Sequence, residues 1–124
     1  MAKNILVIDD EELITKSLLK LLSGEGYKVT VVRNGQDAIE KVKENDFNLI
    51  ISDVRMPDLD GVETIKHIRS SLKELNREQI PEIIITGYAD KDKYESAMDL
   101  KVTNYIYKPF ERTDFLKIVK NVIG

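Results

Sequence analysis

The sequence predicts an α/β fold: one domain in which a five-stranded parallel sheet is doubly wound, with helices on both faces. Short apolar runs rich in β-branched residues alternate with stretches at helical spacing, the pattern of repeated βα units. The central runs Ile5-Leu6-Val7-Ile8, Leu49-Ile50-Ile51 and Ile83-Ile84-Ile85 are apolar throughout rather than alternating, as strands covered on both faces require. A third observation concerns where the runs end. The first stops on Asp9-Asp10, the second on Ser52-Asp53, the third on Thr86, and a further run, Tyr105-Ile106-Tyr107, on Lys108. Parallel strands put these ends along one edge, where open α/β sheets hold their ligand sites. Three carboxylates, a hydroxyl and an amine then converge.

Each element has its own signal. After the first strand, Leu13-Ile14, Leu18 and Leu21-Leu22 recur at helical spacing until Gly24 and Gly26 break the pattern. Residues 27–32 are rich in β-branched side chains, Asn34-Gly35 is a turn signal, and Ala38, Ile39 and Val42 mark one face of a second helix. The third strand ends at Asp53. Pro57 and Gly61 then punctuate a loop before Val62, Ile65, Ile68, Leu72 and Leu75 resume the helical period, with Asp60 and Glu63 reading as a capping box. A polar connection over 76–81 leads to a fourth strand over 82–86. A short helix over 90–100, a fifth strand over 104–107 and a final helix with Phe115, Leu116, Val119 and Val122 on its apolar face complete the chain. The fourth helix offers only Tyr94, Ala97 and Met98 for packing, which predicts a mobile element. Right-handed βαβ crossovers set the helices on the two faces.

Composition narrows the function classes. At 124 residues and 42% hydrophobic, the chain is one domain's worth, with about two-thirds of the unfolded surface buried on folding. Acidic and basic residues, 22 and 19, are mixed along the sequence for a net charge of -3. There is no basic stripe to neutralise phosphates, so direct nucleic-acid binding is not expected. The absence of cysteine excludes a disulfide scaffold and a thiolate metal site and fits a reducing cytosol. No run approaches the roughly 18 apolar residues of a membrane span, and the first is too short for a signal-peptide core. A soluble cytoplasmic protein is the expectation.

Four motifs at the strand ends, Ile8-Asp9-Asp10-Glu11, Asp53 to Gly61 with its Met56-Pro57, Thr86-Gly87-Tyr88-Ala89, and Tyr105 to Phe110 with its Lys108-Pro109, together resemble the receiver domains of two-component response regulators, of the chemotaxis type. The resemblance runs from Lys3 nearly to the end of the chain. It implies a (βα)5 flavodoxin-like sheet in the order 2-1-3-4-5 and a cis peptide at Lys108-Pro109.

By the same resemblance Asp53 is the phosphoacceptor, taking a phosphoryl group from a phosphohistidine of a sensor histidine kinase or phosphotransfer protein. Mg²⁺, or Mn²⁺ in its place, would be bound by Asp10, Asp53 and the backbone carbonyl of Arg55, with Asp9 acting through a metal-bound water; hard oxygen donors suit such an ion. Lys108 would pair with one phosphoryl oxygen and the Thr86 hydroxyl with another. Thr86 and Tyr105 would form the switch that reshapes the face of the fourth helix, fifth strand and fifth helix, where a downstream effector or fused output domain reads the signal. Arg55 and Tyr88 would flank the path of an attacking water and set the lifetime of the acyl phosphate. A monomer or a weak phosphorylation-dependent dimer is implied. The approach Lys101-Val102-Thr103-Asn104 departs from the winged-helix transcription-factor branch, so that branch's mode of dimerisation is not expected.

Bland readings stand beside these. Asp9-Asp10-Glu11 can serve as a helix cap with acids at the positive end of the dipole, Asp53 as a loop cap, Lys108 as a solvated charge, Tyr105 as packing, and His67 as surface. It is the joint placement at strand ends that favours a site. A nucleotide-binding module would need a glycine-rich turn where Asp9-Asp10-Glu11-Glu12 stands. An aspartyl-phosphate phosphatase would place a second acid where Arg55 is. A phosphorylation-independent scaffold is the remaining alternative, and the intact acceptor, metal and lysine positions weigh against it.

Overall fold

In the computed structural model, which describes residues 2–87 and 91–124, strand and helix alternate in the predicted order: β1 (Asn4–Ile8), α1 (Glu12–Gly24), β2 (Lys28–Val32), α2 (Gly35–Glu44), β3 (Leu49–Asp53), α3 (Gly61–Glu74), β4 (Glu82–Thr86), α4 (Lys91–Asp99), β5 (Asn104–Tyr107) and α5 (Arg112–Ile123). The strands form one parallel sheet in the order β2-β1-β3-β4-β5. Among the described residues no helix is long and apolar enough to cross a membrane.

Strand periodicity decides which helix covers which face. Ile5 and Val7 of β1, Leu49 and Ile51 of β3 and Ile83 and Ile85 of β4 point to one side, where they meet Leu18 and Leu22 of α1 and Phe115 and Val119 of α5. The intervening Leu6, Ile8 and Ile50 point to the other side, against Ala38 and Val42 of α2 and Ile68 and Leu72 of α3. Ile84 belongs with Val62 and Ile65 of α3, Ala97 of α4 and Val102. Wholly apolar strands are thus explained, since each alternate residue has its own core.

Caps mark the helix starts unevenly. Asn34 and Asp60 each accept an N–H through the side chain, from Asp37 and Glu63, both at 2.8 Å. Only half of the expected capping box forms at α3, because the Glu63 carboxylate turns along the helix to Lys66 at 3.3 Å instead. The connection over 76–81 is less polar than its sequence reads. Ile80 is buried in it, and Arg77 donates to the carbonyls of Val42 and Asn45, at 2.7 and 2.9 Å, near the carboxyl end of α2.

Glu82, the first residue of β4, is 1% exposed. Arg69 of α3 reaches it with two N–H groups, Nε at 2.8 Å and Nη2 at 2.7 Å, in a forked pair. A buried charge in this position tolerates no loss of its partner. Glu82→Gln should therefore lower the unfolding free energy by about 3 kcal/mol, read from the urea midpoint at unchanged slope, and Arg69→Leu combined with Glu82→Leu should cost less than the single change.

Candidate functional site

Register carries the predicted residues to one edge. Ile8 pairs with Ser52, so Asp9, one residue further, stands level with Asp53 at the end of β3. Asp53 pairs with Ile85, and Thr86 with Tyr107. Lys108 follows directly, its amide donating to the Thr86 carbonyl at 2.8 Å. The Lys108-Pro109 peptide is cis.

At that edge Asp9 and Asp53 are 1% and 2% exposed while Asp10 faces solvent, and each offers a carboxylate oxygen within 4.8 Å of the others. Lys108 Nζ sits 3.2 Å from Asp9 Oδ2, 3.3 Å from Asp53 Oδ2 and 3.4 Å from Glu11 Oε1. Asp53 is held at both oxygens: Oδ2 by Lys108, and Oδ1 by the Val54 amide at 2.7 Å. Lys108 thus contacts three carboxylates, with Asp10 grouped beside two of them. Burial, followed by the charge of Asp53, raises the Asp9 carboxyl above its ordinary value, against the pull of the Glu11 amide and Lys108. For Lys108, burial works to lower the pKa, but the attraction of Asp53 and Asp9 outweighs it and holds the ammonium above its ordinary value.

The acids after β1 do not behave as a helix cap. Glu11 occupies the cap position of α1 and makes no side-chain cap bond, and Asp9 instead accepts the Glu11 amide at 3.0 Å ahead of the helix. Their grouping therefore serves the edge rather than the helix start.

Gly61 shows how tightly the end of β3 is packed. A Cβ at this position would overlap the Asp53 carbonyl oxygen and lie 3.1 Å from Ser52 Oγ. The Gly61 amide donates to the Val54 carbonyl at 2.7 Å, so the start of α3 is pressed against the backbone around Asp53. Only glycine permits that approach.

Of the remaining predicted residues, Thr86 is fully buried at the end of β4. Tyr105 lies against the α3–β4–α4 cluster, its ring edge-on to Tyr94 of α4 at 5.1 Å and to Tyr107 at 5.4 Å. Arg55 is exposed on the β3–α3 loop, where it lines a shallow cleft with Asp10, Asp53 and Pro57. Tyr88 lies outside the described residues. Sequence reasoning missed three pairings: Glu11 with Lys108 at this edge, Arg69 with Glu82 at the opposite, amino end of β4, and Lys93 of α4 with Asp60 at 2.5 Å. The run of acids signalled the first, and a charged residue opening an apolar strand signalled the second.

The response regulator receiver domain family matches residues 5–120. The chain is similar to the transcriptional regulatory protein ZraR of Klebsiella oxytoca, 37% identical over 108 residues that cover 87% of this chain and 23% of ZraR; it thus spans less than a quarter of that protein's length. It is also similar to the polar-differentiation response regulator DivK of Brucella anthropi, 30% identical over 124 residues covering 100% of this chain and 98% of DivK. The receiver domain of the sensor histidine kinase PA1611 from Pseudomonas aeruginosa PAO1, solved with a magnesium ion coordinated in its active-site cleft, has a TM-score of 0.85 at 27% identity, covering 100% of this chain and 99% of that one.

The raised Asp9 carboxyl has a pH signature. A raised folded-state pKa stabilises the fold below the unfolded value of 3.8, and that contribution is lost as pH rises through the folded-state value. In EDTA, wild type should therefore lose stability relative to Asp9→Asn as pH climbs above 3.8. At neutral pH the variant should melt higher than wild type; melting curves of the two proteins across pH check both points.

Proposed function

The chain belongs to the response regulator receiver domain family, the signalling phosphoacceptors that work with histidine kinases and output domains in two-component systems, and from that premise we propose that Asp53 is the carboxylate on which it carries a phosphoryl group. The observation that carries the reading is the pairing of Asp53 with Lys108 at 3.3 Å, inside a group of carboxylates that one ammonium leaves under-neutralised.

In the transfer, an Asp53 oxygen attacks phosphorus, the P–O bond forms as the P–N bond to the donor imidazole breaks, and the nitrogen keeps the electron pair. The cleft at Asp53 is shallow, lined by Asp10, Glu11, Asp53 and Arg55 beside Met56 and Pro57, which suits a donor carried on another protein rather than an enclosed small molecule. Lys108, already hydrogen-bonded to Asp53, is within reach of an oxygen of the incoming group; its flexible stem lets it follow the charge from carboxylate to phosphoryl. Thr86, at the end of the adjacent strand, offers a hydroxyl to another equatorial oxygen.

The donor set fits a hard divalent cation: three carboxylates with oxygens within 4.8 Å of one another, no nitrogen or sulfur ligand among them, and negative charge in excess of the one lysine. Asp9, Asp10, Asp53 and the Arg55 carbonyl would hold Mg²⁺ or Mn²⁺, which when bound neutralises oxygens that otherwise repel the nucleophile. Asp9, buried with a raised carboxyl, is suited to an indirect role through water.

For output, Thr86 and Tyr105 form the switch, and the face of α4, β5 and α5 is read by the effector. Tyr105 supports this because its ring touches both α4 and the exposed Tyr107 of β5, so a change of its rotamer alters both. A cytoplasmic location accompanies this reading.

Two experiments follow. Incubation with acetyl phosphate and Mg²⁺ should add one labile phosphoryl group to wild type by intact mass, and none to Asp53→Asn or to wild type in EDTA; labelling of the variant would remove Asp53 as acceptor. Arg55 and Tyr88 shield the acyl phosphate from water, so Arg55→Ala combined with Tyr88→Ala should speed its decay about tenfold, a barrier change of ~1.4 kcal/mol. An unchanged decay rate refutes the shielding role.

A further inference from the structure

α4 is attached to the body unlike the other helices. Ala97 is its one buried residue among those described, while Tyr94 and Met98 remain 40% and 37% exposed. So little apolar contact leaves the helix dependent on polar ties, and the described residues show one toward each end.

Toward the carboxyl end, Arg69 Nη1 donates to the Leu100 carbonyl at 2.6 Å while the same guanidinium grips Glu82. Leu100 follows the helix directly, so the bond satisfies a carbonyl that the helix end leaves without a partner. The Arg69 and Glu82 side chains are 20% and 2% exposed, so salt screens this tie little.

Toward the amino end, Lys93 Nζ lies 2.5 Å from Asp60 Oδ2. These side chains are 36% and 23% exposed, so the pair is wetter and more readily screened than the first. Asp60 does two jobs at once: Oδ1 caps α3 through the Glu63 amide while Oδ2 takes Lys93. Its neighbour Gly61 is bonded to the Val54 carbonyl, next to Asp53. A short path of backbone and one ion pair therefore runs from the acceptor strand to the first turns of α4.

We propose that Lys93–Asp60 is a releasable latch that holds the amino-terminal half of α4 to the loop that follows Asp53, with the Arg69–Glu82–Leu100 tie as the fixed end about which α4 swings when the latch opens. The role of that swing in signalling rests on the receiver reading; the latch itself does not. Because the latch is ionic and partly exposed, it opens more readily than the buried Arg69–Glu82 tie.

Hydrogen exchange of the α4 amides at residues 95–99, without any phosphodonor, tests the latch. Asp60→Asn keeps an N-cap for α3 but removes the charge, and Lys93→Met removes the partner. Each should accelerate α4 exchange about three- to tenfold while α3 exchange stays as in wild type, and the double variant should go no faster than either single one. High salt should accelerate α4 exchange in wild type and leave the variants unmoved. Unchanged α4 exchange in either variant, additive effects in the double variant, or acceleration spread through α3 would overturn the proposal. Intact mass after acetyl phosphate treatment of the same variants reads the receiver chemistry separately: if Asp53 takes no phosphoryl group, the receiver reading falls while the latch still stands or falls on exchange.

Discussion

Everything at the functional edge depends on an excess of negative charge held where the sheet would otherwise be apolar. Asp9 and Asp53 are buried beside each other, Asp10 and Glu11 complete the group, and Lys108 is the ammonium that reaches three of the four. Burial of like charges is unfavourable unless compensated, and the raised Asp9 carboxyl is the local record of that cost. The rest of the fold keeps the group together. Two apolar layers fix the sheet, the register brings Asp9 level with Asp53, and Gly61 lets α3 press on the backbone beside Asp53. Such a grouping favours positive charge at the edge.

Packing is distributed to match. The face under α1 and α5 and the face under α2 and α3 are filled by large aliphatic side chains from three strands. The corner under α4 is a smaller cluster, with Ala97 as that helix's contribution. Dense interiors resist small displacements, whereas a helix held by polar ties can occupy a second position at little cost. The same asymmetry explains why Tyr94, Met98 and Tyr107 remain exposed near α4 and β5.

The strands were legible because their apolar runs are short, continuous and stop on polar residues, and the observed β4 and β5 span the residues the sequence assigns to them. The convergence of Asp9, Asp10, Asp53 and Lys108 was legible for the same reason, since strand ends of a parallel sheet share an edge. What escaped was chemistry between residues distant in sequence. Arg69 and Glu82, or Asp60 and Lys93, carry no local pattern that pairs them, and each residue alone reads as a solvated charge. Asp60 was read as a cap, which it is, but its second oxygen faces another helix. The reciprocal half of the capping box failed because Lys66, one turn along, offers Glu63 a charged partner that the Asp60 amide does not match.

The central claim is that the edge carries a charge surplus that a divalent cation relieves. Calorimetric titration of the protein with Mg²⁺ at physiological ionic strength, beside Asp10→Asn, tests it most directly. The account predicts one saturable site in wild type, with weaker binding in the variant and a rise in melting temperature that tracks occupancy. Absence of saturable binding, or equal binding by the variant, would contradict it.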